Sequence, residues 1–330
     1  MPALRVLEHV RWYDSVWKLP AAQVAWLRER FPDVHFDSPP DRESVTALLP
    51  AADIVLGWGI RRDNFEFAKQ LRWVHVTAAG VEPLMFPAFI ESDVVLTNAR
   101  GMHSRSMAEH AIGVMLAFAR KLHFARDAQH RRSWDQEALS FEAPPIAELE
   151  GGTLGLVGFG SIGQQVATRA RGLGMRVIAV RRNPDEVAAP ADAQWGMDRL
   201  DALLAESDFV VVCAALTHET RGLLDATRLA RMRTHAVLIN VARGAIIDEP
   251  ALIAALQSGA IAGAGLDVMA EEPLPGESPL WTMPNVILTP HISGMGPRYW
   301  ERSVEMFAGN LARYIAGESL LNVVDKRAGY

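Results

Sequence analysis

The chain has 330 residues, of which 49% are hydrophobic and 22% charged, with a formal net charge of −6 and one cysteine. This composition is typical of a globular protein and excludes disordered and fibrous classes, while the acidic balance argues against nucleic acid or an anionic membrane as the main partner. The single cysteine, Cys213, excludes an intrachain disulfide and a thiolate metal cluster, so we expect a buried thiol and no metal site. The start of the chain lacks the pattern of an export signal, and no apolar run approaches the ~18 residues of a membrane span, so we expect a cytoplasmic protein.

Short β-branched runs alternate with helical patterns along the chain. Strands are predicted at Leu4–Val10, Asp53–Leu56, Trp73–Val76 and Val94–Thr97, with an amphipathic helix at Ala21–Arg30. A second series of strands is predicted at Leu154–Val157, Arg176–Val180, Phe209–Cys213, Ala236–Asn240, Ala262–Val268 and Val286–Leu288. Such alternation is typical of βαβ units, so the two series predict an α/β protein with two doubly wound parallel sheets.

Two helices are expected near the domain boundaries. Ser106 and Glu109 have the spacing of a capping box and precede the apolar run Ala111–Ala119, which predicts a long buried helix joining the domains. Trp300–Ile315 has apolar residues near helical spacing after the last strand, and this helix could fold back onto the first domain. The predicted domains are therefore residues 1–102 with 292–330, and residues 103–291.

A glycine-rich turn follows the first strand of the second series. Gly158, Gly160 and Gly163 form a Gly-x-Gly-x-x-Gly pattern between a buried strand and a helix-forming segment. In that context the glycines permit a tight turn, a close approach to a pyrophosphate and close packing of helix on strand, and the amides of Ser161 and Ile162 would face the phosphates. A turn that merely needs glycine is the alternative.

Arg181 and Arg182 follow the next strand, where this fold usually places an acid that binds the ribose hydroxyls. Arg181 lies 18 positions after Gly163, close to the ~20 expected for that residue. Guanidinium groups can bind a 2′-phosphate by bidentate, charge-assisted hydrogen bonds, whereas an acid would repel it. The pattern favours NADP(H), with NAD(H) possible; two exposed loop arginines are the alternative.

Arg243, Glu272 and His291 each follow a predicted strand of the second series. Reduction of a 2-keto acid requires a cation that holds and polarises the substrate, and a proton donor for the developing alkoxide. Arg243 supplies the cation, and His291 is the natural acid, because the ordinary pKa of histidine, about 6.5, lies near working pH. Glu272 is the candidate partner of the imidazole. Each residue alone has a structural explanation, but the carboxyl ends of parallel strands build a shared ligand crevice.

With these motifs the chain resembles the D-isomer-specific 2-hydroxyacid dehydrogenase family, of the glyoxylate/hydroxypyruvate reductase-like, NADP-preferring type. The matching segments are Gly155–Gly163, Asn240–Gly244, Gly265–Val268 through Glu272-Pro273, and Asn285–His291. The resemblance implies a Rossmann cofactor domain, a discontinuous flavodoxin-like substrate domain and a homodimer. It also implies a reductase that forms D-2-hydroxy acids from small 2-keto acids such as glyoxylate or hydroxypyruvate.

The resemblance also assigns roles to individual residues. Arg243 is expected to anchor the substrate carboxylate and carbonyl, His291 to act as general acid/base, and Glu272 to orient it. In the cofactor domain, Asp267 and the Val241 carbonyl are expected to contact the nicotinamide carboxamide, and Thr217 to lie along the cofactor.

The resemblance also indicates substrate-binding residues outside the cofactor domain. Residues 77–81 resemble the family's substrate loop, whose backbone amides, here those of Ala79 and Gly80, bind the carboxylate. Trp58 could close the pocket or be a core residue, and His103 is a weaker pocket candidate.

Two departures from the family pattern leave alternatives open. Arg181 stands where NAD-dependent members have an acid, and Met107 stands where valine is common. The same machinery could serve 3-phosphoglycerate or phosphite, for which Arg61, Arg100 and Arg298 are available. A nucleotide-sensing, corepressor-like binding protein is a further alternative, and turnover would distinguish it from an enzyme.

Overall fold

The computed structural model describes residues 4–12, 17–142, 146–184 and 190–329, and the chain divides into two compact units. The first unit comprises Met1–Met102 and Gly296–Tyr330, and the second comprises His103–Met295. The boundary near the C-terminus lies four residues after the position expected from the sequence.

The helices and strands follow one another in the order expected for two α/β units. The first unit begins with β1 (Leu4–His9), β2 (Arg11–Trp12), β3 (Trp17–Lys18), α1 (Ala21–Arg30), β4 (Val34–Asp37), α2 (Arg42–Leu48), β5 (Ile54–Gly57), β6 (Trp73–His75), α3 (Pro87–Ile90) and β7 (Val95–Thr97). The second unit contains α4 (Ser104–Ala119), α5 (Leu122–Arg131), α6 (Gln136–Phe141), β8 (Thr153–Val157), α7 (Ser161–Gly172), β9 (Arg176–Val180), β10 (Ala193–Trp195), α8 (Leu200–Glu206), β11 (Phe209–Val212), α9 (Ala226–Leu229), β12 (Val237–Asn240), α10 (Glu249–Gln257), β13 (Gly263–Leu266) and β14 (Val286–Leu288). The chain then returns to the first unit with α11 (Tyr299–Ile315).

The first unit is built on a five-stranded parallel sheet in the order β4-β1-β5-β6-β7. When only the five strands of this sheet are numbered in chain order, this is the 2-1-3-4-5 order of flavodoxin-like folds. Strands β2 and β3 form a separate antiparallel pair. The flavodoxin-like architecture predicted for this domain is therefore confirmed.

Helix α11 covers one face of this sheet. The Trp73 ring on β6 stacks on Phe307 and Tyr314, with ring centroids 5.3 Å and 5.6 Å apart. These three aromatic side chains bury a large apolar area, so the C-terminal helix belongs to the core of the first unit.

The segment after α11 lies against β7. Val323 pairs antiparallel with Thr97, and the Lys326 ammonium donates hydrogen bonds to the carbonyls of Phe89, Ser92 and Val94. A buried edge strand needs its polar groups satisfied, and this segment supplies partners for the edge of β7.

The second unit is built on a seven-stranded parallel sheet in the order β10-β9-β8-β11-β12-β13-β14. Within the unit this is the order 3-2-1-4-5-6-7, the Rossmann arrangement with one added strand. The strand order reverses between β8 and β11, and ligands of such sheets bind beside the carboxyl ends of the strands at that point. Buried apolar side chains fill both faces of the sheet.

Some elements differ from the sequence prediction. Helix α4 begins at Ser104 after His103, which makes no side-chain capping bond, so Ser106 lies inside the helix and the predicted capping box is wrong. Strands β4 and β10 were not predicted, because they are only four and three residues long and contain polar side chains. None of the helices in the described residues is long and apolar enough to cross a membrane.

Candidate active site

The predicted site residues of the second unit lie at the carboxyl edge of its sheet. The glycine-rich turn follows β8, Arg181 follows β9, and Thr217 lies in the loop after β11. Val241 and Arg243 follow β12, while Asp267, Glu272 and His291 follow the two neighbouring strands β13 and β14. One edge of one sheet therefore gathers the predicted cofactor residues and the predicted catalytic residues.

Two of the three motif glycines are required by close packing. Gly158 has a φ of +99°, and a Cβ there would lie 2.7 Å from the Ala214 Cα. A Cβ on Gly163 would lie 2.6 Å from the Gly158 carbonyl oxygen, so this glycine lets helix α7 approach the turn. Both positions need glycine for reasons internal to the protein.

The middle glycine is different, because a Cβ on Gly160 would meet no atom within 4 Å. The space beside Gly160 is therefore open, and a side chain would intrude into it. Gly160 is also the N-cap of α7, whose first amides, those of Ser161 and Ile162, have no partner within the helix. An open space bordered by helix N-terminal amides fits a pyrophosphate group.

The residues that follow β9 lie beside the adjacent edge strand. The Arg181 amide donates to the Trp195 carbonyl at 2.9 Å, Arg181 is partly buried, and Arg182 is exposed. Thr217 makes hydrogen bonds with Thr220 within its own loop, and Val241 is buried at the end of β12. The cofactor roles predicted for these four residues remain predictions.

The three predicted catalytic side chains come from adjacent strand ends. The Nδ1 atom of His291 lies 2.7 Å from Glu272 Oε2, and the Met269 amide donates to Glu272 Oε1 at 3.0 Å. A side chain at Gly244 would collide with the backbone of Met269, so this glycine lets the Arg243 turn pack against the loop that holds Glu272. The His291 side chain is about half exposed, at 50%.

Electrostatics keep Glu272 ionised in this arrangement. Burial alone would raise the pKa of Glu272, but the His291 hydrogen bond, the charge of protonated His291, the Met269 amide and the charge of Arg243 together hold it below its ordinary value. An ionised carboxylate can only accept a hydrogen bond, so His291 donates Nδ1–H to Glu272. The other ring nitrogen, Nε2, is then the atom that can exchange a proton with a substrate.

Asp267 binds the segment that contains His291. Its buried carboxylate accepts hydrogen bonds from the Thr289 hydroxyl at 2.6 Å and from the amides of Ile292 and Ser293, both at 2.9 Å. Burial would raise the pKa of Asp267, but these hydrogen bonds, together with one from the Ser293 side chain, lower it. Sequence reasoning missed this role and predicted a nicotinamide contact, which remains a prediction.

His110 in α4 and His103 at its N-cap also contact this segment. His110 Nε2 lies 3.1 Å from the Thr289 hydroxyl, and His103 Nδ1 lies 3.2 Å from the Gly294 carbonyl oxygen. His103 had been expected only as a weak pocket residue. Both contacts join residues far apart in the sequence, so no local pattern indicates them.

The predicted substrate residues lie in the first unit. Trp58 follows β5, packs partly buried against the sheet, and donates its amide to the His9 carbonyl at 2.8 Å. Ala79 and Gly80 lie in the loop after β6, where the Ala79 carbonyl accepts a hydrogen bond from Asn98 at 2.7 Å. These residues lie at the carboxyl edge of the five-stranded sheet, and their binding roles remain predictions.

Cys213 is a structural thiol, as the sequence indicated. Although the residue as a whole is partly exposed, its thiol donates to the Gly158 carbonyl at 2.9 Å, and burial raises its pKa to about 12. It therefore stabilises the glycine-rich turn and is not a nucleophile. Among the residues that the structure describes, no three His, Cys, Asp or Glu side chains are grouped as metal ligands.

Comparison with known proteins identifies the family. Residues 112–293 match the model of the D-isomer specific 2-hydroxyacid dehydrogenase NAD binding domain. The chain belongs to the D-isomer specific 2-hydroxyacid dehydrogenase family. Its members are enzymes that use NAD(P), and this dehydrogenase shares their activity class.

Relatives of this dehydrogenase act on different substrates. It is 36% identical to a glyoxylate reductase of Pyrococcus furiosus over 273 residues, covering 81% of this chain and 80% of that protein. It is 34% identical to a D-3-phosphoglycerate dehydrogenase of Methanocaldococcus jannaschii over 288 residues, 86% of this chain but only 54% of that protein. The chain thus spans about half the length of the phosphoglycerate dehydrogenase that it matches.

A solved structure gives the same fold. The NADPH-dependent glyoxylate/hydroxypyruvate reductase of Sinorhizobium meliloti, in complex with NADP and sulfate, is 27% identical with a TM-score of 0.82. The match covers 99% of this chain and 100% of that one.

Proposed function

We propose that the protein is an NADPH-preferring reductase of small 2-keto acids, of the glyoxylate and hydroxypyruvate class, that forms D-2-hydroxy acids. The observation that carries this proposal is the Glu272–His291 pair at 2.7 Å beside the Arg243 turn, at the sheet edge that also holds the glycine-rich turn. This arrangement combines a proton donor, a cation and a dinucleotide-binding turn.

The side chains have distinct roles in the proposed reaction. Arg243 binds the substrate carboxylate and polarises its carbonyl, which stabilises negative charge as it develops on the carbonyl oxygen. His291 gives that oxygen a proton from Nε2, because Glu272 holds Nδ1 and fixes the orientation of the ring. In the reverse direction the same nitrogen accepts the hydroxyl proton.

The cofactor would lie along the same edge of the sheet. The amides of Ser161 and Ile162, with the open space at Gly160, would hold its pyrophosphate. When bound, a reduced nicotinamide supplies the hydride that the protein's own side chains cannot provide.

The preference for NADPH rests on Arg181 and Arg182. Their place after β9 is where NAD-dependent Rossmann domains hold the ribose with an acid, and two guanidinium groups suit a 2′-phosphate instead. The structurally similar Sinorhizobium meliloti reductase, which is named as NADPH-dependent, supports this assignment.

A small substrate is favoured over a phosphorylated one. Arg61 lies 3.2 Å from Asp63, and Arg298 lies 2.7 Å from Glu301, so two of the three arginines suggested for a phosphate already pair with carboxylates. A phosphate group would have to compete with those carboxylates. The named phosphoglycerate dehydrogenase relative keeps 3-phosphoglycerate as the second candidate substrate.

We also propose a homodimer whose contacts include the α5–α6 segment. Trp134 and Phe141 are 90% and 84% exposed, and large aromatic side chains so exposed are typical of surfaces that bind another protein. A cytoplasmic location is proposed with it, because the reduced cofactor must be regenerated by cellular metabolism.

The proposed function is tested by steady-state oxidation of NADPH and NADH with glyoxylate, hydroxypyruvate, pyruvate, bulkier 2-keto acids and 3-phosphohydroxypyruvate. Glu272→Gln and His291→Asn should each lower kcat by about 100-fold or more, since general acid catalysis contributes on that order.

The chain offers a matched control at the opposite edge of the same sheet. His235 Nε2 lies 2.8 Å from Asp208 Oδ1, before strands β11 and β12, so His235→Asn removes an equally short pair far from the site. We expect this control to keep wild-type kcat. A wild-type protein that oxidises no cofactor with any of these acids would contradict the enzyme proposal, and faster turnover of 3-phosphohydroxypyruvate would replace the proposed substrate.

A further inference from the structure

The segment Thr289–Gly294 holds His291 in an unusual backbone conformation. His291 has a φ of +53°, in the left-handed region that non-glycine residues seldom adopt. Such a conformation persists only when surrounding contacts stabilise it. The contacts of this segment therefore determine where the His291 ring lies.

Asp267 supplies one set of these contacts. Its carbonyl accepts a hydrogen bond from the His291 amide at 2.9 Å, and its carboxylate accepts the amides of Ile292 and Ser293. The two amides after His291 are thus tied to β13. These bonds fix the segment from the side of the sheet.

A chain of hydrogen bonds extends from Asp267 to helix α4. The Asp267 carboxylate can only accept, so the Thr289 hydroxyl donates its proton to Asp267 Oδ1 at 2.6 Å. The Thr289 oxygen must then act as the acceptor toward His110, 3.1 Å away, and His110 donates from Nε2. This direction assigns the proton of His110 to Nε2. His110 thus donates a hydrogen bond to the same Thr289 hydroxyl that donates to Asp267.

The N-cap of the same helix contacts the other end of the segment. His103 Nδ1 lies 3.2 Å from the Gly294 carbonyl oxygen, which can only accept, so His103 donates. His103 and His110 are seven residues apart, about two helical turns, and therefore share one face of α4. The segment is bound at Thr289 and at Gly294 by one helix, and between them by Asp267.

We propose that His110 and His103 are positioning residues, which fix the His291 segment between β13 and α4 so that the imidazole is placed for proton transfer. This inference rests on the proposed reductase function. It adds two residues that contact the segment at Thr289 and at the Gly294 carbonyl, and His110 Nε2 also lies 4.0 Å from Asp267 Oδ1.

The test compares His110→Leu, His110→Gln and Thr289→Val with the wild type and with a surface control, His235→Leu, at the opposite edge of the sheet. His110→Leu should lower kcat by about 10-fold, as expected for a small displacement of a catalytic group, while KM for NADPH stays within about 2-fold. His110→Gln should recover most of the loss, since its amide also donates a hydrogen bond. His103→Leu should show a similar loss of kcat.

Coupling between the residues is tested by a double-mutant cycle. If His110 acts through the Thr289 hydroxyl, the pair His110→Leu with Thr289→Val should be no more than about 2-fold slower than Thr289→Val alone. A residue needed only for folding would instead lower the melting temperature and leave kcat of the folded fraction unchanged. Additive losses in kcat would overturn the proposed hydrogen-bond chain.

A readout without turnover separates this inference from the proposed function. Amide hydrogen exchange at Ile292 and Ser293 should be about tenfold faster in His110→Leu than in the wild type, and restored in His110→Gln. Unchanged exchange overturns the inference whatever the activity. Faster exchange with unchanged kcat overturns the catalytic consequence, whereas a wild-type protein inactive toward every 2-keto acid overturns the proposed function alone.

Discussion

Protonation of the buried His75 is expected to destabilise the first unit at acid pH. His75 ends β6 and is fully buried, and its Nδ1 lies 2.8 Å from the Thr97 hydroxyl. Trp73 Nε1 donates to the same hydroxyl at 2.8 Å, so Thr97 joins both rings in one buried hydrogen-bonded group. The other ring nitrogen, Nε2, is buried with no hydrogen-bond partner among the described residues.

The magnitude follows from the pKa. Burial lowers the pKa of His75 from 6.5 to about 3, so the folded state keeps the ring neutral while the unfolded chain takes up a proton below pH 6.5. The contribution of the neutral His75 ring to the free energy of unfolding is complete above pH 6.5 and is lost as the pH falls towards 3. Between pH 7 and pH 5 the free energy of unfolding should fall by about 2 kcal/mol from this residue, at about 1.4 kcal/mol per pH unit.

His75→Asn removes the titrating group and keeps a side chain that can both donate and accept a hydrogen bond beside the Thr97 hydroxyl. Guanidinium unfolding of the wild type, of this variant and of the exposed control His130→Asn would be measured at pH 7 and pH 5. The cavity left by His75→Asn lowers the free energy of unfolding equally at both pH values. The loss of stability from pH 7 to pH 5 in the wild type, minus the same loss in His75→Asn, therefore gives the effect of protonating the His75 ring. If two unfolding transitions are resolved, the effect belongs to the one that His75→Asn shifts at pH 7.

The expected result is that the wild type loses about 2 kcal/mol more than His75→Asn between pH 7 and pH 5, while His130→Asn behaves as the wild type. Equal losses in the wild type and His75→Asn would refute the reasoning, because His75 would then be protonated in the folded state or hydrated there.

Three further predictions concern cofactor choice, assembly and the thiol. Arg181→Asp should raise the KM for NADPH by about 10-fold or more without raising the KM for NADH. The control Arg176→Ala, at the opposite end of β9, should change neither KM. An unchanged preference in steady-state kinetics with both cofactors would contradict the assignment. Trp134→Ser should convert the dimer, of twice 36.2 kDa, into a monomer of 36.2 kDa in light scattering. The control Leu321→Ser, at an exposed residue of the other unit, should leave the dimer intact. A monomeric wild type would rule out the dimer. With a pKa of about 12, Cys213 has about one thiolate in 10⁴ at pH 8, so iodoacetamide should leave kcat intact, and rapid inactivation would show that the thiol is accessible.

The architecture of both sheets could be predicted because parallel strands buried on both faces have long apolar runs. Arg176–Val180 and Val286–Leu288 were predicted with the observed bounds. Shorter strands such as β4 and β10 contain polar residues, and their pairing with a neighbouring strand, rather than their own pattern, makes them strands. The predicted start of α4 was wrong for a similar reason. The capping-box spacing at Ser106 is a local pattern, whereas the helix begins two residues earlier, at Ser104.

The sequence by itself determined the glycine-rich turn after a buried strand and the placing of Arg243, Glu272 and His291 after strands of one parallel sheet, whose strand-end residues must meet at one edge. Only the tertiary structure decided that Glu272 accepts a hydrogen bond from His291 and that the Asp267 carboxylate binds the His291 segment. It also decided that His110 of α4 and His103 at the N-cap of α4 contact the two ends of that segment. Hydrogen bonds depend on ångström-scale distances between residues that lie far apart in the chain, and such distances are set by packing, which no local pattern of residues records.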